Sequence, residues 1–180
     1  MWHPFDYLTG SWRIGALVAL FVLTLIVALK TSQALTPFSM VALELATDPE
    51  AAKIIIERWK EDDASLVAAR SLQYWDNYLI LCYSTLLALA CVIVADWLYP
   101  SGSTANFHGK LFAWLMWVAG ILDYVENYAI NKMLAGMIEN PWPKVSSSSA
   151  SLKFMIIAAG VVYILSGILV GLLQRKAHSE

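Results

Sequence analysis

Asp123, Glu126 and Asn127 are the residues of this chain whose types and spacing could do chemistry. They stand at i, i+3 and i+4, so a helix sends all three side chains out of one face. The stretch that carries them, Leu111 to Leu134, reads as a membrane span that turns polar partway through. A charged side chain at mid-membrane costs about 2.5–3.5 kcal/mol even on the lenient insertion scale, so two carboxylates one turn apart require partners, protons or water. Paired carboxylates suit proton transfer, as in double-bond shifts or hydrolysis, once burial splits their pKa values. They could also bind an amine or polyol head group, or hold a hard cation through oxygen ligands. No Ser-His pair, phosphate loop or metal-binding His spacing competes, so neither a metal nor a cofactor is expected.

The first of these chemistries makes Asp123 and Glu126 the acid and base candidates. Asp76, Asn77 and Asn127 would orient them or the ligand, and Tyr83 would put a hydroxyl at the floor of the pocket. Glu44, acidic in an apolar stretch, either snorkels or points into that pocket. Lys153 or Lys30 would supply the balancing charge, since otherwise one carboxylate of a close pair holds its proton near neutral pH. The competing structural reading is a polar clamp that fixes helix register.

These side chains must be positioned by membrane helices. The chain has 180 residues, 59% of them hydrophobic and 14% charged, with a mean hydropathy of +0.60. That is too apolar for an ordinary soluble domain. A formal charge of -2, with the twelve Lys and Arg scattered, excludes nucleic acid as a partner. Cys82 and Cys91 fall on one helix about 13 Å apart, beyond disulfide reach. His3, His108 and His178 fall outside the apolar runs, which leaves no histidine ligands inside the membrane.

The first apolar run, Ile14 to Leu29, extends to about Ala34 if Arg13 and Lys30 snorkel. A cleaved signal peptide is the competing reading, opposed by the lack of an early basic region and of a small-residue cleavage site before Pro37. In the polar connection that follows, Thr47-Asp48-Pro49-Glu50 predicts a capping box and a helix from Asp48 to about Lys60. Ala51, Ala52, Ile55, Ile56 and Trp59 share its apolar face, as in a helix lying on a membrane surface or on the ends of other helices. A long helix should start at Asp62 or Asp63 and run to Tyr99, where Pro100-Ser101-Gly102 stops it. The third span returns from about Lys110 to Ala135, and a Ser146–Ser149 linker leads to the last, Leu152 to Leu173. Asp96 is read as a solvated helix end. Small residues, including Gly160, Gly167 and Gly171, allow close helix packing, within the bundle in preference to a dimer.

The fold class is thus all-α, an integral-membrane four-helix bundle forming one domain over 1–180. Its spans cover about 12–34, 72–99, 110–135 and 152–174, and an amphipathic helical lid covers 37–62 between the first two. Asp123 then lies about 18 Å into the third span, level with Asp76, Asn77, Lys30 and Lys153. Four spans put both termini on one side. Lys and Arg near the span ends tie between the sides; the compact pair Arg175-Lys176 favours cytoplasmic termini.

The set Glu44-Leu45-Ala46, Trp59, Asp76, Tyr83, Asp123-Tyr-Val-Glu126-Asn127 and Lys153-Phe154 resembles a group of uncharacterised bacterial four-span membrane proteins. The resemblance covers about residues 40 to 160 through short motifs, implies a bacterial inner membrane, and brings no activity with it. In topology alone the chain is similar to the sterol isomerase and sigma-2 receptor group, whose members bind amphipathic molecules among acidic side chains. The expected function is binding, and transformation by proton transfer, of a small amphipathic or lipid-derived molecule in an acidic pocket of one leaflet. The alternatives are a non-enzymatic accessory subunit that docks on a membrane partner or forms a homodimer, and a proton- or cation-coupled transporter. The lack of an internal repeat counts against the transporter.

Overall fold

A computed structural model describes residues 1–31 and 35–177. The described residues contain six α-helices and no strand: α1 (Ser11–Thr31), α2 (Met40–Glu44), α3 (Pro49–Lys60), α4 (Asp63–Leu98), α5 (Thr104–Leu134) and α6 (Trp142–Ala177), preceded by a 3₁₀ turn at Pro4–Tyr7. Three of them, α1, α4 and α6, are long and apolar enough to cross a membrane, which makes this a membrane protein. Helix α5 is long but less apolar. Asn106, His108 and Lys110 load its start, and Asp123, Glu126 and Asn127 its second half.

Helix α5 packs along both α4 and α6, and α1 lies against α4. Of α1 only Val27 is buried, while Val18, Phe21, Leu25, Ile26 and Leu29 stand exposed. A helix that is apolar all round suits lipid and not water. Between α4, α5 and α6, Ala88, Cys91, Val92, Ala113 and Met116 form a closed core. Small residues bring these backbones together. A methyl group added to Gly160 would strike Met116, and one on Gly167 would strike Val94, so this face of α6 is occupied within the chain.

A second core gathers around the connection between α1 and α4. Asp48 caps α3, accepting from the backbone N–H of Glu50 and Ala51 at 3.0 and 2.9 Å. With Asp48 as the cap, and not Thr47, the expected capping box does not form. Ala52, Ile55, Ile56 and Trp59 turn inward onto Ala69, Leu72, Ile130, Met133 and Leu134, so α3 lies on the ends of α4 and α5. Trp59 is fully buried, and its indole N–H donates to the Phe38 carbonyl at 3.1 Å, tying α3 to the chain ahead of α2.

The starts of two helices differ from expectation. Helix α5 begins at Thr104, not Lys110, because the Ser103 hydroxyl caps it by accepting from Asn106 N–H at 3.2 Å. Helix α6 begins at Trp142, not Leu152. Pro143 in its first turn lacks no needed donor there, and Ser146, Ser147 and Ser149 are buried helical residues, not a linker. The expected end of the first span, 32–34, lies outside the described residues, as does His178.

Asp96 is not a solvated helix end. It joins a network at the start of α1, accepting from Arg13 at 2.7 Å and from the Asn106 amide at 2.9 Å. Lys110 lies 3.6 Å from Asp96 and 2.8 Å from Asp6. Nearby, His3 is fully buried against Trp114 and Trp117, and that burial lowers its pKa.

Candidate functional site

Lys153, three turns into α6, is the hub of the polar residues. Its ammonium is 2.5 Å from Asp123 Oδ1, 2.9 and 2.8 Å from the two oxygens of Glu126, and 3.9 Å from Glu44. Helix α5 supplies Asp123 and Glu126 one turn apart, so both reach the same point on α6. Helix α2 supplies Glu44 from above. The Ser146 hydroxyl donates to the Glu44 carbonyl at 3.3 Å and fastens α2 to α6.

Helix α4 closes the other side. The Tyr83 hydroxyl donates to Asp123 Oδ2 at 2.7 Å, so both oxygens of Asp123 have donors. Asp76 accepts from the Asn127 amide at 2.7 Å. Asn131 donates to Gln73 at 3.5 Å and to the Asn127 carbonyl at 2.9 Å. Of the expected site residues, Asp123, Glu126, Asn127, Lys153, Glu44, Tyr83 and Asp76 thus come together. Asn77 does not: its amide donates back to the Gln73 carbonyl on its own helix at 2.8 Å. Among the described residues Lys153, not Lys30, is the cation that meets the acids.

The acids divide into two kinds. Asp123 and Glu126, 4% and 0% exposed, are sealed against Lys153. Glu44 and Asp76 instead line a partly open cavity of about 360 Å³ between the end of α1, α2 and α4. Thr31, Ser39 and Gln73 add polar groups to its wall, and Leu35, Met40 and Leu72 add apolar surface. Asp123 and Glu126 are not among the described lining residues, so the expected acid and base stand behind the cavity and Glu44 and Asp76 stand in it. Burial pushes the Glu44 carboxyl up, against the opposing pull of Lys153.

Gln73 was not singled out from the sequence, although it stands one turn before Asp76 and Asn77, the same i, i+3, i+4 pattern that marks α5. Ser146 carried no such signal. Among the described residues no group of three His, Cys, Asp or Glu is arranged to hold a metal ion. Comparison with protein-family models, with curated proteins and with solved structures gives no match.

Proposed function

We propose that this protein is a four-helix membrane bundle whose α2–α3 segment acts as a lid over an acidic pocket in one leaflet. The pocket binds a small amphipathic or lipid-derived molecule and moves a proton on it. The observation that carries this reading is the cavity that Glu44 and Asp76 share, half polar and half apolar in its wall, beside the Lys153 cluster. A double-bond shift needs one proton delivered and one removed, with no other reactant. Glu44 would deliver and Asp76, held by Asn127, would receive. Lys153 with Asp123 and Glu126 would fix α5 against α6 and set the field around Glu44.

The direction of the helices supports α5 as the fourth crossing. The start of α1 and the ends of α4 and α6 border one groove. Helix α5 leaves that face after α4 and must reach the opposite one before α6 begins. The termini would then share a side, with Arg175-Lys176 marking the cytoplasmic face of a bacterial inner membrane.

The test is native mass spectrometry with lipidomics on protein purified in mild detergent, comparing wild type with Glu44→Gln/Asp76→Asn. Both substitutions face the cavity and leave the closer Lys153 pairs with Asp123 and Glu126 in place. A small amphipathic molecule held by wild type and lost from an equally stable variant supports the pocket. Identical profiles sink it. A polypeptide that co-purifies with both would favour the second reading, an accessory subunit in which the polar cluster is a clamp. That reading draws on the way Asp123 and Glu126 saturate Lys153.

A further inference from the structure

The opposite end of the molecule carries a second recess, of about 440 Å³, lined by Arg13 and Ile14 of α1, Ile93, Asp96 and Trp97 of α4, and Arg175 of α6. These helices are the ones long and apolar enough to cross a membrane, and the recess lies where α1 begins and where α4 and α6 end. It therefore sits at the level where a bilayer gives way to water. In its wall Ile14, Ile93 and the Trp97 ring are apolar, Arg13 and Arg175 are cationic, and Asp96 is anionic.

Among the described residues the charges there do not cancel. Arg13 is committed: it pairs with Asp96 at 2.7 Å and also donates to the carbonyls of Leu8 and Phe5. Asp96 is committed too, with Arg13 on one oxygen, Asn106 on the other, and Lys110 3.6 Å away. Lys110 takes Asp6 as its closer partner at 2.8 Å. Within this set Arg13 and Lys110 balance Asp96 and Asp6, which leaves Arg175 in excess. Its guanidinium lies over the Trp97 ring, 5.1 Å from the centroid. Trp97 in turn is pressed onto Gly171, one turn before Arg175, where any side chain would overlap the ring. The glycine thus makes room for the indole, over which Arg175 sits at the edge of the recess.

We propose that this recess binds the phosphate headgroup of an anionic membrane lipid. Arg175 is the principal headgroup contact, Arg13 sets the field behind it, and Ile14, Ile93 and Trp97 receive the start of the acyl chains. A planar guanidinium suits a phosphate through paired N–H donors, and an aromatic ring at headgroup level suits the glycerol region. The site is independent of the acidic pocket.

The experiment titrates the purified protein in mild detergent with phosphatidylglycerol or chain-matched phosphatidylcholine and counts bound lipid by native mass spectrometry. Wild type should hold phosphatidylglycerol about five-fold better, the effect expected of one basic residue at a membrane surface. Arg175→Gln should abolish that preference at an unchanged melting temperature. Ile14→Trp, which fills the recess without altering charge, should lower retention of both lipids. Equal retention of the two lipids by wild type, or a preference that survives Arg175→Gln, overturns the proposal. Displacement of phosphatidylglycerol by millimolar inorganic phosphate overturns the lipid assignment in favour of a soluble phosphate.

Discussion

At the scale of single residues, Lys153 decides whether α5 and α6 can share a buried surface. It is the cation that Asp123 and Glu126 both touch, and removing one partner of a buried charge pair costs about 3–5 kcal/mol because the other is left uncompensated. Lys153→Met should therefore lower the melting temperature sharply in detergent. Adding Asp123→Asn and Glu126→Gln to it should restore most of the loss. A single substitution without effect would show that these carboxyls need no cation. Glu44 makes a different prediction. Burial raises its pKa above the ordinary glutamate value of 4.5, so the unfolded chain gives up this proton before the folded one does. The stability it contributes is complete below pH 4.5 and is lost as pH rises through the folded-state value. Melting curves from about pH 4 to 8 should show this decline in wild type and lack that component in Glu44→Gln.

At the scale of elements, the α2–α3 segment is held by few but large contacts. Trp59 is fully buried and anchors α3 to Phe38, and truncating a buried tryptophan costs about 3–5 kcal/mol. Trp59→Ala should release the segment locally. Trypsin should then cut after Lys53, Arg58 or Lys60 while α4 to α6 stay protected, whereas global unfolding would expose every site together. Much of this was legible in sequence. Asp48-Pro49 and the Ala52, Ile55, Ile56, Trp59 spacing place α3 to within a residue, and Asp123, Glu126 and Asn127 announce their own shared face. The start of α6 was not legible, since a run of serines reads as a linker until buried partners such as the Glu44 carbonyl give the hydroxyls somewhere to go. Nor could spacing reveal which acids face the cavity. That depends on how far Lys153 reaches across from another helix, which no local pattern encodes.

At the scale of the whole molecule, the two polar clusters lie at opposite ends of the long helices, with an apolar middle between them. If α5 crosses, the N- and C-termini share a side. Cysteines placed one at a time at Met1 and Lys176 should then react with a membrane-impermeant reagent from the same side of sealed vesicles, and one at Lys53 from the other. Labelling of Met1 and Lys176 from opposite sides would remove α5 as a span. The buried Lys153 also bears on how the protein is made. A lone α6 would carry an unpaired ammonium into lipid, and a lone α5 two carboxylates, at about 2.5–3.5 kcal/mol for each charge. Neither helix is a comfortable passenger by itself. If α5 crosses, the pair would leave the insertion machinery as one hairpin with its charges already matched, and a chain truncated between Leu134 and Trp142 would leave α5 without its partner.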